Sequence, residues 1–66
     1  MNNKIRVARA EVRMTQQQLA EAAGVSRQTI NAIESGKFVP STVLALKMAK
    51  ILSKPVEEIF QLEDGD

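Results

Sequence analysis

Along residues 4 to 13 the apolar positions Ile5, Ala8 and Val12 recur at spacings of three and four, with the cations Lys4, Arg6, Arg9 and Arg13 set around them. That is the period of one helix face, and it predicts a first helix from about Lys4 to Arg13 with Asn2 or Asn3 as its N-cap. The next stretch, "MTQQQLAEAAG", holds a capping box. The Thr15 hydroxyl can accept from the Gln18 amide N–H while the Gln18 side chain reaches back to the Thr15 N–H. A second helix therefore starts at Gln16 and stops at Gly24, where a residue without a Cβ lets the chain turn left-handed. Ser26 caps a third helix, Arg27 to Ser35, which Gly36 ends. "GKFVP" reads as a loop, and Ser41 caps a longer apolar helix through about Leu52. Its inward positions are Val43 or Leu44, Leu46 or Lys47, Met48, Ile51 and Leu52. Pro55 opens a short fifth helix, "PVEEIF", and the tail "QLEDGD" is expected to fray. Five helices predict an all-α fold.

Composition narrows the chemistry. Sixty-six residues support one hydrophobic core, so the expectation is a single domain spanning 1–66. There is no Cys and no His, which removes thiolate nucleophiles, disulfides, imidazole bases and nearly every zinc ligand set. The chain is read as no enzyme, with no metal and no cofactor. No apolar run approaches the roughly 20 residues needed to cross a bilayer, and the N-terminus lacks a signal-peptide core, so the expected location is cytoplasmic. The net charge of +1 hides an asymmetry: all nine Lys and Arg lie in residues 1–54 with only Glu11, Glu21 and Glu34. Residues 55–66 carry Glu57, Glu58, Glu63, Asp64 and Asp66 and no cation. A basic body bears an acidic tail.

On a wheel of about 100° per residue, Arg27, Gln28, Asn31 and Ser35 of the third helix share one arc, and Thr29, Ile30, Ile33 and Glu34 take the other side. The outer face lacks the Glu and Lys that usually fill a solvated surface. A short helix held by a tight turn at its N-terminus can enter the major groove of DNA, where base edges carry distinct donor and acceptor patterns. Arg27 suits guanine, whose O6 and N7 both accept. Gln28 and Asn31 suit adenine, which offers one donor and one acceptor to a side-chain amide.

The segment "TQQQLAEAAGVSRQTINAIESGK" resembles the helix-turn-helix of the phage Cro and repressor family of transcriptional regulators. The matching positions are apolar Leu19, Ala23, Val25, Ile30 and Ile33, small Ala20 where two helices touch, and Gly24 in the turn. Arg9, Glu34, "ALKMAKIL" and "PVEEIF" extend the similarity over nearly the whole chain. The resemblance implies a compact five-helix, lambda-repressor-like DNA-binding domain whose second helix lies across the backbone and whose third reads the major groove. It implies base contacts from Arg27, Gln28 and Asn31, and backbone contacts from Gln16, Ser26, Ser35 and Lys37. It also implies a structural ion pair between Arg9 and Glu34. Many members carry a polar residue where this chain has Ala32, so one base contact is missing or replaced by apolar contact with a thymine methyl.

Val56, Ile59, Phe60 and Leu62 put four large apolar residues in the terminal segment. Either Val56 and Ile59 complete the core under the fourth helix, or these residues form a homodimer interface, with part of the "KFVPS" loop, about a two-fold axis. The function expected is a sequence-specific regulator of double-stranded DNA. It would act as a homodimer on an inverted-repeat operator and, with no effector domain attached, repress by occlusion. The rivals are an antitoxin-like protein-interaction module that also touches DNA, and a helical scaffold that binds nucleic acid without preference.

Overall fold

The computed structural model describes all 66 residues and folds them into five helices, α1 (Ile5–Glu11), α2 (Gln16–Ala23), α3 (Arg27–Glu34), α4 (Thr42–Leu52) and α5 (Val56–Ile59). Their boundaries follow from local chemistry. Thr15 and Gln18 form the capping box of α2 in both directions, at 3.0 and 2.9 Å. Ser26 and Ser41 cap α3 and α4 by accepting from the amides of Thr29 and Leu44. Gly24 closes α2 in the left-handed conformation, φ 75°. A Cβ there would meet nothing within 4 Å, so glycine is favoured by the backbone angle and not by space. Ser53 closes α4 with the same turn at φ 57°, without glycine's freedom.

Twelve buried residues make one core: Ile5 and Ala8 of α1, Leu19, Ala20 and Ala23 of α2, Ile30 and Ile33 of α3, Met48, Ala49 and Leu52 of α4, with Ile59 and Phe60. Helix α2 packs against both α3 and α4, and Ala20, fully buried, lets the backbones approach. No helix is long and apolar enough to cross a membrane.

Four expectations need correction. The N-cap of α1 is Lys4, without a side-chain cap, because Asn2–Asn3 is a two-residue strand, β1, paired antiparallel with β2 (Phe60–Gln61). Asn3 contributes differently: its Oδ1 accepts from Ile5 N–H and its Nδ2 donates to the Ile33 carbonyl at 2.8 Å. The tail does not fray. The N-terminal ammonium meets Asp66 Oδ2 at 2.9 Å and Glu63 Oε1 at 3.3 Å, and the Lys4 N–H donates to the Ile59 carbonyl. Helix α1 stops at Glu11, with Arg13 at φ 54°, so Val12 leaves the inward stripe and is exposed. Finally, on α4 Leu44 and not Val43 packs inward, as does Ile51, but neither Leu46 nor Lys47 does, and Ala45 packs against the core in their place. A helix this rich in apolar residues has no unique inward stripe, and a period of 3.6 alone does not choose among them.

Candidate nucleic-acid interface on α2 and α3

The turn Gly24–Ser26 holds α3 against α2. Ile30 and Ile33 are buried, which leaves Arg27, Gln28, Asn31 and Ser35 on the open side. The start of α2 stands beside that face, and Gln16, Gln17, Arg27, Gln28 and Asn31 line one shallow hollow with no apolar residue and no carboxylate. Gln17 was not singled out from the sequence; its place at the second position of α2, next to Gln16, was the available signal. The first N–H groups of α2 and α3 have no partner inside their own helices, as at any helix start, and they favour an anion such as a phosphate.

Ser26 spends its hydroxyl within the protein, accepting from Thr29 N–H and sharing a hydrogen bond with the Thr29 hydroxyl. Ser35 Oγ donates to the Ala32 carbonyl, which also accepts from the N–H groups of Lys37 and Phe38. That carbonyl therefore ends α3 and leaves the Lys37 side chain exposed. Arg27 and Lys37 enter none of the ion pairs of the protein, so their charge is available to an anion.

Beneath the face lies a polar junction. Arg9 Nε donates to Glu34 Oε2 at 2.6 Å, its Nη2 to Oε1 at 3.2 Å, and its Nη1 to the Met14 carbonyl at 2.8 Å. The Glu34 side chain is 2% exposed and that of Arg9 14%, so the pair ties α1 and the turn after it to the end of α3 away from bulk water. Gln16 Nε2 completes the junction, donating to Glu34 Oε1 at 3.2 Å and to Asn31 Oδ1 at 3.3 Å. Arg6 approaches the same carboxylate at 3.8 Å from a solvated position. Every side-chain acceptor and donor buried here finds a partner.

A tight turn, a second helix packed behind and a polar outer helix face are the parts of a helix-turn-helix, and the family described as Helix-turn-helix matches residues 5–59. The chain belongs to the Cro/C1-type helix-turn-helix family. It is 50% identical to an uncharacterized HTH-type transcriptional regulator of Methanocaldococcus jannaschii, over the full length of both chains. It is 47% identical to YgzD, an uncharacterized HTH-type transcriptional regulator of Bacillus subtilis, over 97% of each. Among solved structures, the restriction-modification controller protein C.AhdI of Aeromonas hydrophila superposes with a TM-score of 0.78 at 30% identity, covering 85% of both chains. This helix-turn-helix protein is thus a member of a DNA-binding regulator family. Beside its fold, the two-stranded β1–β2 pairing is a small addition.

The apolar end divides unevenly. Ile59 is fully buried and Phe60 9% exposed, both within this chain's own core, so the surface they could give a second copy is already spent. Val56 is half-buried and Leu62 is open. Exposed apolar surface concentrates elsewhere, on Phe38 and Val39 of the loop before α4 and on Val43 and Leu46 of α4 itself. Val39, Pro40, Ala45 and Leu46 meet Met1, Val56 and Phe60 in one mostly apolar hollow.

Proposed function

We propose that the protein is a sequence-specific regulator that inserts α3 into the major groove, binds as a homodimer to an inverted repeat, and represses by occluding a promoter. The observation that carries this reading is the composition of the hollow between α2 and α3: side-chain amides and an arginine, with neither a carboxylate to repel phosphate nor an apolar group to repel water. In it, Arg27, Gln28 and Asn31 are the base-reading residues. Gln16, Ser35, Lys37 and the helix start at Ser26 meet the sugar–phosphate backbone, where contacts set affinity and register. The dimer draws its support from Phe38, Val39, Val43 and Leu46, four exposed large apolar side chains on the loop before α4 and on α4 itself. Two copies joined through that face would present recognition helices to successive major grooves, about 34 Å apart.

Selection of bound duplexes from a random pool, with sedimentation of the complex, tests the whole reading. The expected result is a two-fold symmetric consensus bound by two protein chains, with affinity falling steeply as salt rises. Equal binding to consensus and competitor DNA would defeat the proposal. An asymmetric site occupied by one chain would defeat its dimeric part.

A further inference from the structure

The junction under α3 has a direction. Arg9 can only donate hydrogen bonds and an ionised carboxylate can only accept them, so Glu34 presents oxygen on every side. Gln16 carries one group of each kind, and only its nitrogen can face Glu34 Oε1, at 3.2 Å. That Nε2 has two protons. One goes to Glu34 and the other to Asn31 Oδ1 at 3.3 Å, so the oxygen of Asn31 is the end that turns inward. The Asn31 Nδ2, with two N–H donors, is left pointing away from the junction on the exposed face of α3.

We infer that Gln16 is a positioning residue that orients Asn31 as a pure hydrogen-bond donor, so that the base beside Asn31 is one whose major-groove edge offers acceptors, guanine foremost. The inference rests on the DNA-reading role proposed above and changes its chemistry at one position. Adenine pairs with a side-chain amide through both its N6 donor and its N7 acceptor, and an amide that has given its oxygen to Gln16 has nothing to meet N6. Guanine presents O6 and N7, both acceptors, and thymine presents O4. Gln16 thereby loses its own side-chain donors for phosphate, and the backbone N–H groups at the start of α2 are what remain for that contact.

The test uses the full chain and duplexes derived from the selected site, scanning all four bases at the position where Asn31→Ala relaxes preference. The unaltered protein should favour guanine over adenine there by about tenfold, the usual scale of one good base contact. In Gln16→Ala, Asn31 is free to turn over, and the ratio should fall to about twofold or less at that position while other positions keep theirs. Asn31→Asp, on an exposed site that does not threaten folding, keeps an acceptor towards Gln16 and puts a second acceptor outward. Its preference should move to cytosine, whose N4 donates. A preference for adenine in the unaltered protein would overturn the inference. So would a Gln16→Ala variant that weakens binding to every duplex equally, the mark of a simple phosphate contact. If no duplex is enriched at the selection step, the DNA-reading role falls and the inference falls with it.

Discussion

Helices α3 and α4 each leave a broad face outside the core, and the two faces are opposite in kind. The open side of α3 carries Arg27, Gln28, Asn31 and Ser35 and no large apolar residue, whereas that of α4 sets Val43, 65% exposed, and Leu46, 54% exposed, among the exposed Lys47 and Lys50. Water satisfies the first face and is driven off the second, at about 25 cal/mol for each Å² covered. A polar face therefore gains little from any contact except one that matches its donors and acceptors, while an apolar face gains from any dry surface of suitable shape. The proposed function accordingly assigns discrimination to α3 and association to α4.

The largest effect expected comes from cutting the support beneath α3. Glu34→Ala leaves the mostly buried Arg9 guanidinium without its carboxylate, a change that costs about 3–5 kcal/mol. With about 4–8 °C per kcal/mol for a domain of this size, thermal unfolding should begin more than about 12 °C lower. An unchanged melting temperature would mean that α3 is held by apolar packing alone. The next two substitutions separate the faces. Arg27→Ala should cost about 1–3 kcal/mol of discrimination at one base position and leave sedimentation unchanged. Leu46→Lys should leave the base preference intact and raise the dimer dissociation constant at least tenfold, on the order of 1.4 kcal/mol or more. Were each variant to produce the other's phenotype, the division of labour would be wrong.

The smallest effect lies where the chain ends meet. The Asp66 carboxylate holds the N-terminal ammonium above its ordinary pKa of 8.0, with Glu63 assisting. Asp66 in turn is held below its ordinary 3.8, first by the Glu63 N–H and then by that ammonium. The raised amine contributes fully below 8.0 and loses its contribution as pH rises through its folded value; the lowered carboxyl contributes above 3.8 and loses it as pH falls through its own. Amide exchange at Asn2 and Asn3 should accordingly be slowest between these limits relative to its intrinsic rate. Both groups are solvent-exposed, so global stability should scarcely move.

What the sequence revealed was what neighbours in the chain decide. Thr15, Gln18, Gly24, Ser26 and Ser41 act within three or four residues of themselves, and the helices they bound lie where capping chemistry puts them. Features that depend on distant partners were harder to see. "NN" at the start gives no hint that it will pair with "FQ" near the end, and "IF" reads equally well as core or interface until that pairing pulls Phe60 inward. The interface shows the same division. The wheel put Arg27, Gln28 and Asn31 on one face, but the approach of Gln16 to Asn31 and Glu34 depends on the angle between α2 and α3, which no spacing encodes.

The pairing of β1 with β2 closes a loop that takes in almost the whole chain, Asn2 opposite Gln61 and Asn3 opposite Phe60. Loop closure is an entropic cost set by the length of chain between the partners, and it is met last by a molecule whose other contacts are local. The helical hairpin of α2 and α3 can thus form as soon as its own residues are free. The last strand, and the seating of Ile59 beside the start of α1, must wait for the two distant segments to meet. The recognition element rests on contacts close in the chain, and the molecule is zipped shut by its most distant pairing, Asn2–Asn3 with Phe60–Gln61.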